Sequence, residues 1–562
     1  MGEGGNRLRE HTTMKKRCTA MAMATCMAAT LLTGCKMPWN QSESVENHTS
    51  SGDVTVDADE KVDNASTFLN YKVDYETIEP TSESNPDVAI ARVKYPVLRL
   101  GDYEGNTFVE STEYPELAAG IAHYNEDSKA VAESEKDTLI EYAESDLAYA
   151  EESDDLEESE GMDIPTADRY VYEATPMVSR ADTNAFSVLE MQYYDANGAH
   201  PTTTYVGYSF DSKTGEEIAL SSIVEDKEKF VNTVMEQLSV QNSEGYSEEE
   251  LEYLFVDDLG DYIADALDDG SLTWDFTSDG VEIIFNQYEI ASYANGPAFI
   301  DLSFEEYGDL FSEDYQDVPS DYVKGLTSYV TYPVGEHTIA FRYATDEDTY
   351  EVNGVQFFYD DEGETWEEPD ATLEVDDPMK MDFYLFHKED QNYLYVNYFN
   401  DGKYQLVIYD LNTDELEEVT YEDSDTSLME FVPGNPENFL MGKAGNLIGE
   451  YTMFRHASVG ESGLPEFAGE YYMIDAANIA LTTKKDMDTI QLKVDTKEEF
   501  TDSEDSQKVT LKAGTKLSLY RTDGDEILDV KDADGNIYRL TITADGYIGG
   551  SSVTDVLDVV AE

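Results

Sequence analysis

Imidazole and thiolate are the side chains that most readily carry nucleophilic or metal chemistry, and this chain has few of either: seven histidines and three cysteines in 562 residues. His200 stands out because it lies in a glycine-containing turn, Asn197-Gly198-Ala199-His200-Pro201, between two runs that alternate apolar and polar residues. A catalytic imidazole needs a nucleophile beside it or a carboxylate to orient it. A metal-binding one needs further ligands at a known spacing. Neither pattern occurs, since the other histidines are isolated and His-Glu-x-x-His, His-x-His and Gly-x-Ser-x-Gly are all missing. Three readings of His200 stay open, in descending weight: a ring that bonds the hairpin backbone and holds the turn, a ligand contact, and a catalytic group. The sequence calls for no metal and no cofactor. Asp532, Asp534 and Asn536 are spaced like the start of a calcium loop, but the twelfth position is Thr543, which has no carboxylate, so a plain Asp-Gly hairpin is expected.

The cysteines have a different use. Lys15, Lys16 and Arg17 precede an apolar Ala/Met-rich run that ends in Leu32-Thr33-Gly34-Cys35, the three-part pattern of a targeting segment. It resembles the bacterial lipoprotein signal, which implies cleavage before Cys35 and acylation of that cysteine, with Met14 as the expected start. Each buried methylene of an acyl chain contributes about 0.8 kcal/mol, so several chains on one cysteine anchor a protein stably. Cys18 and Cys26 fall in the removed segment, which leaves no disulfide framework and no thiol nucleophile. The expected location is the outer face of the bacterial cytoplasmic membrane, held by lipid.

The formal net charge is -87, and removing residues 1–35, with five basic and two acidic residues, leaves 30 basic against 120 acidic. Nucleic acid is excluded as a partner, because binding phosphate needs a basic footprint. The acidity reads first as dispersed charge that keeps a surface protein in solution and second as a field that attracts cations or cationic proteins. The run from Glu151 to Asp163 reads first as a solvated loop and second as a landing site for such a partner. Forty tyrosines against three tryptophans suggest half-buried sheet surface, with a minority free to form a binding face.

Positioning these groups requires folded elements, and the pattern divides the chain. Residues 1–35 are the signal peptide and 36–88 a disordered acidic tether with few core formers. Residues 89–316 interleave strands and helices, an α+β domain with a mixed antiparallel sheet. A strand fits Val93 to Leu98, and a long helix follows Tyr114-Pro115 through Leu117, Ile121, Tyr124, Leu139 and Tyr142. Two strands flank the His200 turn. Phe230, Val234 and Leu238 share one face of a helix, and a Ser247/Glu250 capping box opens another through Leu251, Leu254, Phe255, Leu259 and Ile263. The rest is all β: a β-rich domain over 317–469, with a convincing antiparallel meander from Phe383 to Val419, then a small β-barrel-like domain over 470–562 that resembles a bacterial SH3-like barrel.

Across about 90–315 a further resemblance is carried by Tyr95-Pro96, Gly198-Ala199-His200, Tyr208 and Phe210 with Asp211, Thr214 and Gly215, and the run "YEIASYANGPAFIDLSFEEYGDLF" with Tyr288, Tyr293 and Gly296. This region resembles the extracytoplasmic domain of the lysozyme-sensing anti-sigma-V factor, and a similar region precedes the catalytic domain of some peptidoglycan deacetylases. Asn197 replaces the usual first glycine, a mild change because Asn tolerates positive φ. The resemblance implies an extracellular binding or sensing module, with these residues as turn formers or ligand contacts. Neither the sigma-binding segment nor the deacetylase motifs occur. The expected function is therefore non-catalytic binding, with a cationic protein such as lysozyme as ligand. The alternative is a glycan-binding or structural surface lipoprotein, and a cell-wall-modifying hydrolase is disfavoured.

Overall fold

The computed structural model describes residues 66–82, 88–104, 107–152, 167–247, 250–345, 352–360, 369–421, 423, 425–429, 434–475, 479–492 and 506–561. The expected signal peptide with Leu32, Thr33, Gly34 and Cys35, the expected tether up to residue 65 and nearly all of the Glu151–Asp163 run lie outside them.

The reading of 36–88 as tether needs correction at its end. Tyr71–Ile78 (β1) pairs residue for residue with β2 (Arg92–Glu104) and buries Val73. So polar a strand does not declare itself in sequence; its neighbour supplies the partners for its backbone. With β3 (Thr107–Glu110), β4 (Tyr170–Ala181), β5 (Ala185–Ala196) and β6 (Thr202–Asp211) these strands form a six-stranded mixed sheet in the order β1-β2-β4-β5-β6, with β3 on β2. Only β2 and β4 run parallel, because the long helix α1 (Pro115–Glu152) connects them. That helix buries Leu117, Ile121, Tyr124 and Leu139 on the sheet, as its spacing predicts, while Tyr142 is exposed. It is also fastened by polar bonds: the Tyr124 and Ser128 hydroxyls each donate to the buried Glu190 carboxylate at 2.8 Å, and Gln192 donates a third bond at 2.8 Å.

A second, three-stranded sheet follows: β7 (Thr273–Phe276), β8 (Gly280–Phe285) and β9 (Ala298–Ser303). One face, with Trp274, Phe276, Val281, Ile283, Ile300 and Leu302, packs on α2 (Lys227–Gln241) and α3 (Leu259–Asp269) through Phe230, Val234, Leu238 and Ile263. The free edge of β9 is closed by side-chain amides, since Gln241 and Asn242 each donate to and accept from its backbone, on Asp301 and Phe299.

The expected continuous helix from the Ser247/Glu250 box is broken. Ser247 does bond Glu250, yet only a 3-10 turn, Glu250–Tyr253, follows, and α3 starts afresh where the Asp258 side chain accepts from the Asp261 N–H at 3.0 Å. The aspartate cap competes with helix continuation at that point. Phe255 is thereby left off any helical face.

From β10 (Tyr322–Leu326) onward the described chain is nearly all β. A five-stranded sheet takes in β10 and the meander expected from Phe383 to Val419, and a four-stranded sheet lies between Tyr332 and Glu374. The expected SH3-like barrel is not what the last strands form. They join a twelve-stranded sheet that begins at Ser427, because Tyr472–Asp475 pairs with Tyr451–Val459 on one side and Lys516–Thr522 on the other. No sheet among the described residues closes into a barrel. The Asp532 turn is a hairpin, its carboxylate accepting from the N–H groups of Asp534 and Asn536 and from the Tyr538 hydroxyl. The described residues from 66 onward belong to one compact unit, and among them no helix is long and apolar enough to cross a membrane.

The two sheets of the first region meet at Gly207 on β6, where an added Cβ would lie 1.8 Å from the Trp274 carbonyl oxygen. Gly207→Ala is expected to push β7 away and lower stability by about 1–3 kcal/mol, measured by urea unfolding.

Candidate functional site

Asn197 takes φ +56, the left-handed value that the turn between β5 and β6 requires, and its N–H bonds the Asp195 carboxylate at 2.9 Å. The exposed Gly198 and Ala199 then deliver His200 to the connection between β8 and β9. There the imidazole stacks on Tyr293 with ring centres 4.0 Å apart, and its Nε2 lies 3.1 Å from the Tyr288 hydroxyl. Its Nδ1 lies 3.3 Å from the Pro201 carbonyl oxygen. A proton on Nδ1 lets that nitrogen donate to the carbonyl and leaves Nε2 to accept from Tyr288. The turn and the β8–β9 connection are thus pinned together by one ring.

The connection itself is held stiffly. Asn286 bonds both backbone groups of Tyr205, and Glu289 accepts from the Asn286 N–H at 2.8 Å and the Tyr262 hydroxyl at 2.9 Å. Asn295 donates to the Gly245 carbonyl at 2.7 Å, and the Tyr246 hydroxyl to the Gly296 carbonyl at 2.8 Å. Gly296, at φ +72, supplies the left-handed turn that follows Asn295. Tyr288, also left-handed at φ +65, keeps 47% of its surface exposed.

Asp211 and Gly215 are not part of this cluster. They lie at the other end of the ten-residue strand β6, roughly 30 Å away at about 3.3 Å per residue. Partial burial raises the Asp211 carboxyl, but bonds from Thr214, Lys213 and Tyr315 outweigh it and hold the group below the usual range. Gly215, at φ +68, abuts the start of α1, where an added Cβ would come within 2.0 Å of the Glu116 carbonyl oxygen. This second motif docks the helix.

Around the first cluster the surface has a distinct character. Tyr253, Phe255 and Val240 are 73%, 60% and 58% exposed, more than any other large apolar side chain described. The Phe255 N–H bonds the Ile290 carbonyl at 2.8 Å, which sets this ring beside the connection that carries Tyr288. Between Lys229 and Lys324 the chain has 24 acidic residues and no lysine, arginine or histidine. The stretch of chain that carries these side chains is thus acidic throughout.

Sequence reasoning missed a different group of acids, on the face of the β7–β9 sheet opposite the helices. Asp275 is directly opposite Glu282, and Glu282 directly opposite Asp301, so three carboxyls form a row across three strands. All three are buried, as is Lys324 from β10, whose ammonium lies 2.6 Å from Asp301 and 2.8 Å from Asp279. Burial pushes Asp275 up to about 7 and Asp301 up to about 6, the latter against the pull of Lys324. Burial, then the charges of Asp275 and Asp301, hold Glu282 well above its usual range. Lys324 holds Asp279 below its usual range although burial opposes it, and the two aspartates keep Lys324 protonated against the same opposition. The signal was present in the sequence as one acid at the centre of each of three apolar runs, TWDF, GVEIIF and AFIDLS. Among the described residues no set of three or more His, Cys, Asp or Glu is placed to hold a metal.

No family model matches the chain, and no curated protein does. Two of its structural neighbours are DUF3298 family proteins. One from Bacteroides fragilis is 15% identical, with a TM-score of 0.30 over 44% of this chain and 94% of its own, and one from Pseudomonas aeruginosa is 11% identical, with a TM-score of 0.24 over 44% and 95%. Prolyl oligopeptidase B from Galerina marginata overlaps at a TM-score of 0.12 and 13% identity, over 64% of this chain and 56% of its own. Overlaps this slight carry no inference about activity.

Removing the ammonium from the buried row leaves uncompensated acids. Lys324→Met is expected to cost about 3–5 kcal/mol, read from the urea midpoint at neutral pH.

Proposed function

We propose that this protein is a lipid-anchored extracytoplasmic binding protein that recognises a cationic protein, a lysozyme being the favoured example, without transforming it. The observation that carries the reading is the coincidence of Tyr253 and Phe255, the most exposed aromatic rings among the described residues, with a 94-residue stretch free of basic side chains. Aromatic anchors within a charged rim suit protein recognition: the rings supply contact area at low entropy cost, and the rim steers an oppositely charged partner. The stiffly bonded β8–β9 connection, with Tyr288 and Tyr293 stacked about His200, offers a preorganised edge to that surface. The resemblance of 90–315 to the anti-sigma-V extracytoplasmic domain supports the same ligand class, and the Leu32-Thr33-Gly34-Cys35 sequence supports the location.

Pull-down with lysozyme at low and physiological salt tests the ligand. Binding that weakens with salt, and drops by at least about tenfold when Tyr253 and Phe255 are both changed to alanine, is expected. Absence of binding at either salt would remove lysozyme as ligand, and equal binding by the double variant would remove the surface. Metabolic labelling with a fatty-acid probe tests the anchor: the wild type should be tagged and Cys35→Ala should not.

A further inference from the structure

We propose that the buried row Asp275–Glu282–Asp301 is a proton-binding junction, which makes the docking of the β7–β9 sheet on β10 tight at acidic pH and looser as the pH rises to neutrality.

The charge count leads there. Four carboxyls, Asp275, Asp279, Glu282 and Asp301, face a single ammonium, and Lys324 gives its bonds to Asp279 and Asp301. Asp275 and Glu282 are left opposite each other on adjacent antiparallel strands, and among the described residues no ion pair is formed by either. Side chains so paired stand about 5 Å apart at Cβ, and two buried carboxylates at that range cannot both stay ionised. One acid of the pair must carry a proton. That proton also answers a bonding question, because both oxygens of Asp275 and Oδ1 of Asp301 are buried without a well-formed hydrogen bond, the Ser179 hydroxyl facing Asp275 short of full bonding geometry. A carboxylic acid O–H in the row supplies one donor where these acceptors have none.

The other groups facing the row do not substitute for it. They include the hydroxyls of Ser179 on β4, Tyr205 on β6, Tyr322 on β10 and Tyr332 beyond it, with Thr277 bonded to Asp279, while Tyr307 acts on Asp301 from the helix side of the sheet. Burial raises the pKa of every one of these tyrosines, so none is a charge at neutral pH. Ser179 favours the ionised form of Asp275 but does not overcome its burial.

The direction of the pH effect follows from linkage. In the unfolded chain these acids lose their protons near pH 4, whereas in the folded chain Asp275 keeps its proton to about 7. Between those values the folded form binds more protons, so the stabilisation is complete below about pH 4 and is lost as the pH climbs to about 7. Proton release places a second bare charge under β8 and β9, the two strands whose connection carries Tyr288 and Tyr293. It also sits against β10, which is bonded to the same turn where the Ser278 hydroxyl donates to the Val323 carbonyl at 2.6 Å.

The test uses the full-length chain, its Asp275→Asn variant and, separately, its Glu282→Gln variant. Urea unfolding from pH 5 to 8 should show the wild-type unfolding constant rising with pH by up to about tenfold per unit for each retained proton, and each variant should flatten that rise. Infrared spectra of the folded wild type at pH 6 should contain the carbonyl stretch of a buried protonated carboxyl group, fading by pH 8 as amide exchange at residues 322–326 speeds up beyond its intrinsic pH dependence. A pH slope unchanged in both variants overturns the proposal. So does the absence of the protonated-carboxyl band in the wild type at pH 6, a result that stands even where a variant fails to fold.

Discussion

One lysine ammonium, taken out of water between Asp279 and Asp301, joins the three-stranded sheet to the first strand of the β-rich half. Lys324 is only 5% exposed, and an ammonium so buried is tolerable only while both aspartates face it. That condition fixes the register of β10 against the turn before β8. The sheet β7–β9 is consequently buried on both faces, by the helices on one side and by the rest of the protein on the other. Everything attached to it inherits that rigidity, above all the β8–β9 connection with Tyr288 and Tyr293.

Two kinds of acid do opposite work in this chain. Those on the surface between Lys229 and Lys324 stay hydrated and add to a field that repels anions and draws cations. Those in the row are cut off from water, where like charges repel strongly and a proton is the cheapest remedy. The same residue type thus provides solubility and steering outside and a titrating element inside, and burial alone separates the roles.

Much of the architecture was legible. Helical spacing of Phe230, Val234 and Leu238 marks a face that is buried, the alternation on either side of His200 gives two paired strands, and Phe383 to Val419 folds as the expected meander. Local signals failed where a distant partner decided the outcome. Tyr71–Ile78 is too polar to look like a strand until β2 pairs with it. The Ser247/Glu250 box opens one turn only, because Asp258 starts a new helix, and Phe255 moves from an expected core position to the surface. The expected barrel at the end instead extends a larger sheet, since Tyr472–Asp475 finds partners on both sides.

The residue order alone determined the net charge, the Leu32-Thr33-Gly34-Cys35 sequence and the turn chemistry around His200, because each depends on residue type or on neighbours a few positions apart. It also placed His200, Tyr288, Tyr293 and Gly296 among the residues of interest, and Asp211 and Gly215 with them. Only the tertiary structure decided that the first four converge while the last two serve the helix at the opposite end of β6. It alone aligned Asp275, Glu282 and Asp301, which are up to 26 positions apart in the chain. Strand register sets which side chains face each other, and that register comes from backbone pairing and from Lys324, neither of which a local pattern encodes.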